Sequence, residues 1–135
     1  MKKALMALAA GLLLQGNAHA GCEFKWTHYG DNKVRDLVAQ HIGSHVTDEY
    51  CTRFNRDNEL VIQFSAYLMP NMAAGHASVG IRKRDSYVLP IMTYSSLSTD
   101  TDGRTLGAAN DLAARATFRA LDNLMSELRS YKVGR

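Results

Sequence analysis

The sequence is short of several things, and each shortage closes a class of explanation. It has two prolines, two cysteines and one tryptophan, so neither a proline-rich recognition segment nor a cysteine-dense scaffold is available. No glycine-rich phosphate loop of either common kind occurs, and there is no Gly-x-Ser-x-Gly nucleophile elbow. Internal repeats, linkers and low-complexity segments are absent. Beyond residue 20, no apolar run approaches the roughly 20 residues a membrane-spanning helix needs. Charge of one sign is scarce too: the formal net charge is +3, and Lys2 and Lys3 supply two of those charges. With no long Lys/Arg stripe, nucleic acid is excluded as the main partner. Nothing in the sequence calls for a cofactor.

What the chain does have begins at its N-terminus. Lys2 and Lys3 form a basic start, Ala4 to Leu14 an apolar stretch, and Ala18-His19-Ala20 a small-x-small site, which is the pattern of a secretory signal peptide cleaved after Ala20. Residues 21–135 then make one domain, long enough for a core of its own. The expected address is the periplasm or the exterior. An oxidising compartment makes the even pair Cys22 and Cys51 an expected disulfide. The rival reading is lipidation of Cys22, but the leucine that usually precedes a lipidated cysteine is missing, and Cys51 would be left unpaired.

The central stretch from Leu60 to Leu97 holds the strand signals. Leu60, Ile62, Phe64, Ala66 and Leu68 alternate with Val61, Gln63, Ser65, Tyr67 and Met69, the period of a half-buried strand. Further runs cover His76 to Arg84 and Tyr87 to Leu97. Pro70 to Gly75 reads as a loop longer than a tight hairpin, and a three-residue loop from Arg84 to Ser86 pairs Ile81 with Leu89 and Val79 with Ile91. Pro90 marks the last run as an edge strand, because proline cannot donate to a ladder.

Helical patterns lie on either side. Gly30-Asp31-Asn32 offers a turn and caps for a helix with Val34, Leu37, Val38, His41, Ile42 and His45 on one face. Gly43 weakens or splits it. Ahead of it, Glu23 to Tyr29 is a short strand or an extended lead-in. At the other end, Asn110 caps a helix from Asp111 to Tyr131, with Ala114, Phe118, Leu121, Met125 and Leu128 as its stripe. The expected fold is therefore α+β: a three-stranded antiparallel β-meander flanked by an N-terminal and a long C-terminal helix, in the order α-β-β-β-α.

Candidate chemistry is thin. His41 and His45 stand four apart, the spacing that puts two imidazoles on one helix face for a metal, with Asp48 or Glu49 as a third donor; they also anchor the alternative of a small periplasmic enzyme or ligand-binding protein. His28, His76 and Tyr67 are the residues that would have to converge for catalysis. Asp100-Thr101-Asp102-Gly103 resembles the start of a calcium loop, but the position of its bidentate acid falls on Ala109. Arg82-Lys83-Arg84 reads as a solvated hairpin tip or a contact for acidic headgroups or an acidic partner.

The expected function follows from address and surface. This is a small exported protein that acts by protein-protein binding, of the inhibitor, immunity or envelope-assembly kind, and not by catalysis. The expected binding face is the second side of the sheet, with Tyr67, Met69, Met92 and Tyr94, joined by Val61 and Val88 around Ser78 and Gly80. It would receive another envelope or secreted protein, or a second copy of the chain. A helix laid over that side would remove the argument.

Overall fold

A computed structural model describes residues 21–134; the expected signal peptide lies outside the described residues. The order is β1 (Trp26–Tyr29), α1 (Asn32–Ala39), a one-turn 3-10 helix (Ile42–His45), α2 (Asp48–Arg53), β2 (Asn58–Met69), β3 (Met72–Lys83), β4 (Thr93–Asp100) and α3 (Leu106–Ser126). The four strands form one sheet in the order β1-β2-β3-β4. The α+β class and the long C-terminal helix are as expected, and the β2–β3–β4 meander is antiparallel. β1 is an addition to it, pairing parallel to β2 with Trp26 opposite Leu60.

Local chemistry explains most of the boundaries. The Asp31 side chain caps α1 by accepting from the Lys33 amide at 2.7 Å. The first helical region is three pieces rather than one or two, because α1 ends at Ala39, before Gly43, and Thr47 caps a separate short helix. In α3, Thr105 takes the capping role expected of Asn110, accepting from Ala108 N at 3.1 Å. The helix therefore starts a turn early, at Leu106, and Asn110 is buried inside it. Ala108 and Ala109 are strong helix formers that the polar neighbourhood conceals.

The strands depart further from the expected limits. Pro70 and Asn71 alone connect β2 to β3, since Met69 pairs directly with Met72. β4 begins at Thr93, not Tyr87, and sets Val79 against Tyr94 in place of Ile91. The apolar run from Tyr87 to Met92 is a loop. Asp85, at φ 61°, turns the chain, and Pro90 then packs over Gly80, where a β-carbon would come within 2.5 Å of the Pro90 ring. β4 instead continues through the Ser/Thr stretch to Asp100, where the Asp100 carboxylate accepts from the Asp102 amide at 2.8 Å and closes a turn.

The core sits between the sheet and the helices. Leu60, Ile62 and Phe64 of β2 and Ala77, Val79 and Ile81 of β3 meet Val34 and Val38 of α1 and Ala113, Ala116, Ala120, Leu121 and Leu124 of α3. Residues alternate across a strand, so this assignment fixes the other side of the sheet. Among the described residues, no helix is long and apolar enough to cross a membrane.

Cys22 and Cys51 form the expected disulfide, with their α-carbons 5.7 Å apart. It joins the segment before β1 to α2. A Cys22 sulfur bonded in this way has no thiol left to carry a lipid.

Candidate functional site

Both long helices lie on one side of the sheet, and the opposite side is the candidate site. Strand register lays it out in rows: Tyr29, Gln63, Ser78 and Ser95 in one, Ser65, His76 and Leu97 in the next, Tyr67, Ala74 and Thr99 beyond. Tyr67 is 51% exposed, Met69 42% and Leu97 58%, grouped around the small residue Ala74. Three large side chains around a small one give a shallow apolar seat with a polar margin.

One end of this outer face is closed. Pro90 lies over Gly80, and Val61 is buried there, because the 84–92 loop folds across it. Beneath lies a charged network. Arg82 Nε donates to Glu59 Oε1 at 2.8 Å, and Arg82 Nη1 to the Tyr29 hydroxyl at 3.1 Å. Thr27 donates to Glu59 Oε2, and Lys25 Nζ is 3.5 Å from the same oxygen. Burial pushes the Glu59 carboxyl up, but the Arg82 and Thr27 hydrogen bonds and the Arg82 and Lys25 charges outweigh it and hold the group below its ordinary value. The pair fixes β2 to β3 and is not available to a ligand.

That arrangement corrects the reading of Arg82-Lys83-Arg84 as a solvated tip. Arg84 is also occupied, donating to the Asn58 and Asn55 carbonyls and to the Asn55 side chain. Only Lys83 is exposed. Beside Lys83 and Asp85, the exposed groups that follow are apolar: Tyr87 at 96%, Val88 at 66% and Ile91 at 77%.

The expected binding residues divide between the two sides. Tyr67 and Met69 stand on the outer face. Met92 and Tyr94 pack against the main core on the helix side, with the Tyr94 ring 6.5 Å from that of Tyr131. The shifted start of β4 is the cause, since a change of register by an odd number of residues moves every side chain to the other face. Leu97, which the sequence places at the end of a strand, takes their place outside. The signal for it was present as Thr93, Ser95, Leu97 and Thr99 alternating with Tyr94, Ser96 and Ser98.

The histidines do not converge. His41 meets Phe118 edge-on, while His45 stacks on the same ring at 4.5 Å and bonds Asp122 through Nδ1 at 2.7 Å. The break after α1 removes the helical spacing that would have aligned them for a metal, and among the described residues no group of three or more His, Cys, Asp or Glu is placed to hold one. His28 lies on the helix side, stacked on Phe64, whereas His76 lies on the outer face with Tyr67.

The chain matches no protein-family model and no curated protein. Among solved structures it is similar to the Thermus thermophilus Protein Y N-terminal domain, at 17% identity and a TM-score of 0.39, covering 82% of this chain and all of that one. A likeness that distant says nothing of what this chain binds.

Proposed function

We propose that this is a small exported protein of the periplasm that acts by binding another protein through the outer face of its sheet, without catalysis. The observation that supports it is the one-sided placement of the helices, which leaves Tyr67, Met69 and Leu97 exposed together on the outer face, beside the polar Ser65, His76 and Thr99. Exposed apolar groups collected on one face, with a polar margin, are the usual composition of a recognition surface. The disulfide fits an oxidising compartment. Inhibitor, immunity and envelope-assembly roles all use such a surface.

The test is photo-crosslinking. Residues 21–135 carrying a photoreactive side chain at position 67 or 97 are exposed to envelope extract, with position 129 as control, because Arg129 is 92% exposed on another part of the surface. A discrete adduct from 67 and 97 that is missing from 129 supports the reading. No discrete adduct from either outer-face position, or equal labelling from all three, overturns it.

A further inference from the structure

The two edges of the sheet are not alike. β1 is four residues long, and short edge strands are one way proteins prevent unwanted pairing. β4 has eight residues, Thr-Tyr-Ser-Ser-Leu-Ser-Thr-Asp, with no lysine, arginine or proline among them. Its one neighbour is β3. Among the described residues, no backbone group of β4 makes a hydrogen bond outside that ladder. An edge of this length offers main-chain donors and acceptors to an incoming strand.

Along that edge, between β4 and α3, runs a groove of about 330 Å³ lined by Leu97, Ser98, Thr99, Leu112, Arg115 and Arg119. Both arginines are exposed, and among the described residues neither has a carboxylate within ion-pairing distance, although Asp111 precedes Arg115 by one helical turn. The Ser98 hydroxyl is buried there without a hydrogen-bond partner. The arginines are four apart, which is about 6 Å of helix rise. Side chains two apart on one face of a strand are separated by about 6.6 Å. The two spacings match.

We propose that the β4 edge captures an extended acidic peptide segment as a fifth strand, with carboxylates at two positions two residues apart pairing with Arg115 and Arg119. The guanidinium fork suits carboxylates in particular. The charges also argue against a second copy of the chain in this place, because β4 paired with β4 across a twofold axis would bring both pairs of arginines to one side of the joined sheet. This site meets the outer face at Leu97 but does not include Tyr67, so an adduct from position 67 reports on the outer face alone. Either reading can fail without the other.

The test begins with a randomised peptide library displayed on phage and selected against the disulfide-bonded chain. Selected peptides are expected to carry Asp or Glu at alternate positions within β-forming residues. A synthetic peptide from that pool should bind at least ~10-fold more weakly to the R115E/R119E double variant, since each reversal opposes like charges, and should lose binding when its alternate backbone nitrogens are methylated. Hydrogen exchange of the amides of residues 93–100 should slow when it binds. Raising salt from about 0.05 to about 0.5 M should weaken it. Both substituted positions are exposed, so the variant is expected to keep the wild-type circular dichroism. The proposal is overturned if no peptide is selected, if the selected peptides lack acidic residues, if charge reversal leaves binding unchanged, or if the slowed amides lie elsewhere. Sedimentation showing a dimer whose slowed amides are those of β4 overturns it as well.

Discussion

The hydroxyl of Tyr131 stands where the sheet loses a strand: the Ile81 amide donates to it at 2.8 Å. The β3–β4 ladder ends one residue earlier, at Gly80 and Thr93, as the chain leaves for the 84–92 loop. The same hydroxyl donates to the Met92 carbonyl at 2.5 Å. A side chain from beyond the last helix thus replaces a missing ladder partner and holds both ends of the loop. Burial pushes its pKa up, which keeps the phenol neutral as a donor.

Tyr131→Phe is accordingly expected to cost about 1 to 3 kcal/mol, the range for leaving a buried donor without a partner. Tyr50 supplies the contrast: it is fully buried, but its hydroxyl has no hydrogen-bond partner among the described residues. Tyr50→Phe should leave stability unchanged or raise it. Urea unfolding of the two variants decides the matter, and equal losses would show that the hydrogen bonds of the Tyr131 hydroxyl contribute nothing beyond what an unpartnered buried hydroxyl does.

The disulfide gives a second prediction. The bridge closes a separation of 29 residues, and the loop-entropy relation puts its contribution at about 3 to 4 kcal/mol, with measured bridges of this kind ranging widely around that. C22S/C51S should therefore melt at a lower temperature than the oxidised chain, and adding reductant to the wild type should reproduce most of the fall. A reduced chain with an unchanged melting temperature would show that Phe24 and Trp26 dock against the core unaided.

How far the sequence alone reaches is clear from particular residues. The alternation of Leu60 to Met69 gives β2 and its buried face, and the stripe Ala114, Phe118, Leu121 and Leu124 gives α3, since periodicity reports burial directly. Tyr87 to Met92 misled because an apolar run also describes a loop folded onto a sheet. The decisive feature was the missing side chain of Gly80 on a neighbouring strand, which makes room for Pro90. Once that loop is removed from the sheet, β4 slides, and Met92 and Tyr94 change sides. Arg115 and Arg119 stood in the sequence as ordinary solvated helix residues, and only tertiary placement brings them beside an open edge.

Acid should reveal the Glu59–Arg82 pair. Glu59 is 2% exposed, and its carboxyl is held below the ordinary value of 4.5. A group whose pKa is lowered by folding contributes stability above its unfolded value and loses it as pH falls through the folded one. Glu59→Gln keeps the shape but leaves the buried Arg82 charge without its counter-ion, a cost of about 3 kcal/mol at neutral pH. The gap between wild type and variant should then narrow as pH drops below about 4.5, as followed by denaturant midpoints at a series of pH values. A constant gap would mean that hydrogen-bond geometry, not charge, accounts for the pair.

Gly75 sets how closely the long helix approaches the sheet. On β3 three successive helix-facing positions, Ala73, Gly75 and Ala77, are small, and a β-carbon at position 75 would fall 2.0 Å from the Ala113 amide nitrogen and 2.3 Å from the Leu112 carbonyl carbon. The obstacle is backbone, so no rotamer change relieves it and α3 must lift. Gly75→Ala should cost about 1 to 3 kcal/mol as an overpacked core does, and Gly75→Val more. Ala113→Gly should fail to rescue either, because the side chain of Ala113 is not what collides. Gly107, in the first turn of α3, is the control, with its nearest neighbour the Thr105 hydroxyl at 3.8 Å; there Gly→Ala is expected to stabilise by about 0.4 to 1 kcal/mol through the unfolded chain. Lifting α3 would also move Arg115 and Arg119 away from β4. Gly75→Ala should therefore weaken capture of an acidic strand even under conditions where the domain remains folded, and peptide affinity measured beside melting temperature would separate the two effects.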